Sequence, residues 1–153
     1  MKSRRFTDSF RYAANGIRAA IREERNMRFH LCAAVYVFLF SRFYDFSKIE
    51  TMLLVLMVCG VLALELINSS IERAVDKPTR GHYWSAGAAK DMAAGGVLVF
   101  SAGCAVCGVM LFWDIAVFQR IFAFFWQYPL ALAALALSFA AALRFIYGWP
   151  KKE

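Results

Sequence analysis

The chain has 153 residues, a net charge of +7 and a content that is 61% hydrophobic and 16% aromatic, with a mean hydropathy of +0.50. Such a composition lies far from that of water-soluble domains and makes lipid the main solvent. The excess of cations finds partners in anionic headgroups and phosphorylated substrates, so nucleic acid is an unneeded hypothesis.

The chain starts MKSRRFTDSF, which is basic, but no apolar h-region or small-residue cleavage site follows, so no cleaved signal is expected. Residues 4–25 carry a helical period. At about 100° per residue, Arg4, Arg11, Arg18, Arg22 and Arg25 gather on one face, and Phe6, Phe10, Ala13, Ile17 and Ile21 on another. The pattern predicts an amphipathic helix on the membrane surface. Glu24 projects with Phe6 and Ile17 toward the apolar side, where a carboxylate needs a partner, a proton or a metal ion.

Four spans are expected after it. Phe29 to Phe46 is the first, interrupted by His30, Arg42 and Asp45; Tyr44 to Glu50 returns the chain into the second, residues 49–75, whose apolar part runs from Thr51 to Ile71. The loop KPTRGHYWSAGAAK contains the helix breakers Pro78, Gly81 and Gly87. The third span opens at Asp91 and continues uncharged from Met92 to Trp113, with Ala93, Ala94, Gly95, Gly96, Gly103 and Gly108 suited to close helix packing in lipid. The fourth is Ile121 to Leu143, with Pro129 inside it. Uncharged runs of this length cross a core of roughly 30 Å at about 1.5 Å per residue. Cys32, Cys59, Cys104 and Cys107 fall within spans and read as packing. Eight of the lysines and arginines precede residue 29, four lie from Arg73 to Lys90 and three from Arg144 on, against three on the opposite side. Both termini are therefore expected in the cytoplasm, with the protein in the inner membrane.

The stretch ELINSSIERAVD is the most informative. Glu65, Asn68, Glu72 and Asp76 fall at offsets of three, seven and eleven, on one helix stripe. Glu65 lies 14 residues past Thr51, roughly 21 Å into a core of about 30 Å. The stripe thus passes from lipid into cytoplasmic water, a geometry suited to an enzyme with one lipid and one soluble substrate. A carboxylate at the depth of Glu65 can take the proton of a headgroup hydroxyl. Glu72 and Glu24 offer oxygens for Mg²⁺, which binds one or two carboxylates together with substrate phosphates. Lys90 beside Asp91 offers charge to a polyphosphate near a helix start. Ionisable residues inside membrane helices are usually functional. Asn68 and Ser69 serve equally well as helix glue, and Asp76 or Asp91 taken alone reads as a solvated terminus or an N-cap. Neither a P-loop nor a Gly-rich kinase loop is present.

ELINSSIERAVD is similar to the E-x-x-N-[ST]-[AS]-I-E-x-x-x-D signature of the prokaryotic diacylglycerol kinase family, which includes the undecaprenol kinases. GAAKDMAAGGVLV resembles the family's A-K-D segment, and GIRAAIREERNMRFH its surface helix leading into the first span; the likeness covers about residues 5–113. It implies an all-α homotrimer, with active sites shared between subunits, that moves the γ-phosphate of MgATP to a membrane lipid alcohol. It also implies that Glu65 is the general base and that Glu24 and Glu72 are the metal and ATP-phosphate carboxylates. Arg5, Tyr12, Asp76, Lys90 and Asp91 match nucleotide-contacting positions, and Gly81, His82 and Tyr83 lie where the family's loop meets the nucleotide. The lipid falls beside Glu65, Asn68 and Ser69.

The expected organisation is a surface helix (1–28), a three-helix kinase core (29–113) and an extension with a fourth span (114–153), an extension that the familiar relatives lack. The RNMRFHL segment leans toward the undecaprenol branch over diacylglycerol. The competing readings are a small proton or cation transporter with Glu65 as its relay, and a non-catalytic scaffold.

Overall fold

The computed structural model describes residues 6–76 and 84–148, and its regular elements are all helices. They are α1 (Phe6–Glu23), α2 (Arg25–Ser41), α3 (Lys48–Val75), α4 (Trp84–Phe112), α5 (Ile115–Gln127) and α6 (Pro129–Tyr147). Three are long and apolar enough to cross a membrane, namely α3, α4 from Ala86, and α6. α2 has 17 residues, a little short of the roughly 20 that a straight crossing takes. The all-helical membrane architecture expected from the sequence is therefore present.

α2, α3 and α4 run in alternating directions, and α6 ends where α2 begins. At one end of the bundle lie the end of α1, the start of α2, the end of α3, the start of α4 and the end of α6. Arg73 of α3 pairs with Glu23 of α1 at 3.0 Å, Lys90 of α4 with Asp76 after α3 at 3.0 Å, and Arg28 of α2 donates to the Ile146 carbonyl of α6. At the opposite end the Tyr44 hydroxyl donates to the Phe112 carbonyl at 2.7 Å, and its ring packs with Phe46 and Phe112. That cluster fixes the return from α2 to α3 against the end of α4. Ser47 starts α3 with a capping box: its hydroxyl accepts from the Glu50 N–H while the Glu50 carboxylate accepts from the Ser47 N–H. α3 packs chiefly on α4, and α2 lies between α3 and α6.

Four expectations are corrected. The surface helix does not run to residue 25: it ends at Glu23, and Glu24 adopts an extended backbone (φ −102°, ψ 118°) as the N-cap of α2. The first crossing is consequently earlier and shorter than 29–46. The third span does not open at Asp91, because α4 begins at Trp84, and the helix-favouring Ala86, Ala88 and Ala89 carry it through Gly87. The fourth span is not continuous through Pro129. A proline without an N–H cannot sit inside a helix and drives the residue before it out of the helical region; Tyr128 has φ −119° and ψ 78°, and Pro129 opens α6 in the first helical turn.

Within one chain the glycines of α4 face no neighbouring helix. A Cβ added at Gly95, Gly96, Gly103 or Gly108 meets nothing within 4 Å, whereas one added at Gly60 of α3 lies 2.5 Å from Phe100 Cζ and 2.6 Å from Cε1. The close approach of α3 and α4 therefore rests on Gly60 and the Phe100 ring. Gly60→Val should destabilise the detergent-solubilised protein by about 1–3 kcal/mol through overpacking. Adding Phe100→Ala should recover much of the loss; melting of the two variants and the double variant checks this.

Candidate active site

α3 holds the core of the site. Its 28 residues extend about 42 Å, longer than a hydrocarbon core of roughly 30 Å, so one end projects from it. Burial along the polar stripe follows this geometry. Glu65 is 2%, Ser69 3% and Asn68 6% exposed, Glu72 is half-buried and Asp76 exposed. The Ser69 hydroxyl donates back to the Glu65 carbonyl at 2.9 Å, one turn earlier on the same helix. That bond satisfies the hydroxyl locally. The Asn68 Oδ1 is buried with no hydrogen-bond partner among the described residues, an acceptor left open beside Glu65.

The second contribution comes from the joint between α1 and α2. Glu24 makes no side-chain cap to its own helix; instead its carboxylate lies 4.0 Å from the Arg73 guanidinium, which also holds Glu23 at 3.0 Å. Burial, more than any neighbouring charge, raises the Glu24 carboxyl above the ordinary carboxylate range; the Glu72 charge adds to this and Arg73 opposes it. Glu24 and Glu72 both act electrostatically on Glu65. Acids from two separate parts of the chain, Glu24 at the α1–α2 joint and Glu72 on α3, thus influence one another electrostatically at the end of the bundle.

The third contribution is from α4. Lys90 Nζ donates to both Asp76 carboxylate oxygens, at 3.0 and 3.3 Å, tying the start of α4 to the end of α3, where Asp76 is the C-cap. Lys90 and the exposed Asp91 lie two turns inside α4 rather than at its start. Tyr12 is an exposed residue of α1, twelve positions before Glu24 and so about 18 Å away along the helix. Arg5, Gly81, His82 and Tyr83 lie outside the described residues. The sequence reading missed Arg73 and Glu23. Arg73 directly follows Glu72, about 100° around the helix from the acidic stripe, and that offset from a helix already marked as functional was the available signal.

No group of three or more His, Cys, Asp or Glu side chains among the described residues converges as a complete ligand set. Mg²⁺ asks less, since it keeps waters and is commonly held by one or two carboxylates plus substrate phosphates. The mutually repelling Glu24 and Glu72 and the orphaned Asn68 oxygen fit that demand.

Fold and site together define a helical membrane protein with an acid-lined centre at one end of its bundle. The sequence model of the prokaryotic diacylglycerol kinase family matches residues 11–112. The chain is 42% identical to an undecaprenol kinase of Bacillus subtilis over 108 residues, 71% of this chain and 88% of that protein. It is 33% identical to a diacylglycerol kinase of Haemophilus influenzae over 99 residues (65% and 82%) and 29% identical to one of Escherichia coli over 103 residues (67% and 84%). The chain belongs to the prokaryotic diacylglycerol kinase family and is a lipid kinase.

The raised Glu24 carboxyl has a consequence for stability. Its proton is held more tightly in the folded state, so its contribution is largest at acid pH and is lost as pH rises through the raised value. In metal-free protein Glu24→Gln should match the parent near pH 4 and melt above it near pH 8, by no more than about 1 kcal/mol. Thermal unfolding across that range checks the sign.

Proposed function

We propose that the protein transfers the γ-phosphate of MgATP directly to the hydroxyl of a membrane lipid alcohol, with Glu65 as general base. The observation that carries this reading is the burial of the Glu65 carboxylate on a helix face whose acids continue through Glu72 to Asp76, with Glu24 brought beside that helix at the α1–α2 joint by Arg73. Glu65 accepts the hydroxyl proton as the lipid oxygen bonds to the γ-phosphorus, and the bond to the bridging oxygen breaks with its electron pair leaving on ADP. Glu24 and Glu72 hold Mg²⁺, which when bound offsets phosphate charge. Lys90, released from Asp76 or shared with it, contacts the nucleotide together with Asp76, Asp91 and Tyr12, and the nucleotide role is also assigned to Arg5, Gly81, His82 and Tyr83, which lie outside the described residues.

An apolar cavity of about 360 Å³ between α2, α3 and α4 includes Leu62, one turn before Glu65, together with His30, Val58 and Ser101. It suits the hydrocarbon part of the substrate, and Asn68 and Ser69 border the headgroup. Undecaprenol and diacylglycerol both have the required hydroxyl, and the identity to the B. subtilis enzyme favours undecaprenol. The last turns of α1 and α6 lie at the same end of the bundle, and the lysine and arginine distribution favours the cytoplasmic side of the inner membrane for that end. Homotrimerisation completes the site across neighbouring subunits in this reading, and the open Cβ positions along α4 leave room for a partner helix. In this reading residues 1–28 form the surface part, 29–113 the kinase core and 114–153 an extension; the end of the family match at residue 112 supports only the last boundary.

The test is purified protein in mixed micelles with labelled ATP, Mg²⁺ and either lipid. Labelled phosphate should appear in the lipid, and its absence with both substrates rules out this reading. Glu65→Gln should reduce kcat by about 10²-fold or more while nucleotide binding persists. Glu72→Gln should instead raise the Mg²⁺ concentration needed for half-maximal rate.

A further inference from the structure

Arg28 is the one buried cation among the described residues, at 5% exposure, and it has no role in the chemistry above. No carboxylate among the described residues forms an ion pair with it. All its hydrogen bonds go to main-chain carbonyls: Nη1 donates to Ile21 and Arg22 at 3.1 Å each, while Nε and Nη2 donate to Ile146 at 3.3 and 3.2 Å. Ile21 and Arg22 belong to the last turn of α1, and Ile146 to the last turn of α6. Carbonyls there have lost their helical donors and stand at the negative end of a helix dipole. One guanidinium therefore closes the ends of two helices that are 118 residues apart at the Arg28–Ile146 bond.

The position of this bond gives it a bearing on the site. α1 ends at Glu23 because the chain breaks at Glu24, and Arg28 takes two of the carbonyls exposed by the break. Glu24 is one turn from Arg28, and its carbonyl accepts the Arg28 N–H at 3.4 Å. α6 lies beyond the family match, and it is seated on α2 by the buried Ile146, by a Tyr36–Ser138 hydroxyl contact at 3.1 Å and by Arg25 over the Tyr147 ring at 5.9 Å.

We propose that Arg28 is a positioning residue through which the C-terminal helix α6 fixes the α1–α2 joint and so the place of Glu24 in the acidic centre. The inference rests on the reading of Glu24 as a ligand for metal and nucleotide phosphate. A lysine keeps the charge but not the planar fork that reaches three carbonyls at once.

The test uses the full chain in mixed micelles with Arg28→Lys, Ile146→Ala and the double variant. Each single change should raise the apparent KM for Mg²⁺ by about fivefold or more with kcat per folded enzyme little altered. The double variant should be no worse than the more affected single one, because Ile146→Ala keeps the carbonyl but loosens the buried seat of α6 that presents it to Arg28, so both changes weaken the same contact. Hydrogen exchange over residues 17–28 should quicken in Ile146→Ala, although that residue is remote in sequence. Unchanged exchange there, multiplied effects in the double variant, or a fall in kcat and stability with KM for Mg²⁺ untouched would each overturn the proposal. If Arg28→Lys fails to fold, Ile146→Ala alone still decides it through exchange and KM. Failure of the underlying reading is seen separately, as Glu24→Gln leaving the KM for Mg²⁺ where it was.

Discussion

A helix lying on a membrane surface can continue into the membrane only by breaking, and the break leaves carbonyls without donors where water is scarce. In this protein that constraint falls at Glu24. The extended backbone there ends α1 and begins α2, and the carbonyls of Ile21 and Arg22 turn to the Arg28 guanidinium. Because its own helix end makes no use of the Glu24 side chain, the carboxylate is available to Arg73 and to the acids of α3. The site exists because the break that topology demands occurs at an acidic residue.

The acids of α3 present the complementary problem. A carboxylate buried at the level of Glu65 is expensive unless the surrounding structure compensates for it. The exposure of the stripe rises toward its end, from Glu65 through Glu72 to Asp76, so the costly group is continuous with solvated ones. Arg73 and Lys90 add positive charge beside the outer acids without neutralising the inner one. Such a gradient of burial along one helix lets a lipid-level group and a water-level group belong to the same centre.

Much of this was legible in the sequence. Spacing alone placed Glu65, Asn68, Glu72 and Asp76 on one face, since a helix fixes relative directions of side chains by arithmetic. Glu24 was marked by its conflict with an apolar face, although its real setting is a helix joint. Lys90 was assigned to a helix start, when its helix begins at Trp84 and its partner is Asp76. Within one chain the close approach of α3 and α4 is at Gly60, opposite an aromatic ring that no local pattern pairs with it. The Lys90–Asp76 and Gly60–Phe100 contacts lie between helices, and the pattern of one helix does not show them.

Composition and periodicity by themselves determined that the chain is a helical membrane protein, and the ELINSSIERAVD stripe determined where its polar chemistry lies, because hydropathy and helical phase are properties of a single segment in a known solvent. Tertiary structure alone decided that α1 stops at Glu23, that Arg73 reaches across to Glu23 and Glu24, and that the distant Ile146 shares a guanidinium with the end of α1. Those facts depend on which helix ends meet. A carbonyl that has lost its helical donor carries no mark in the sequence, and it gains its partner only when another helix brings one into place.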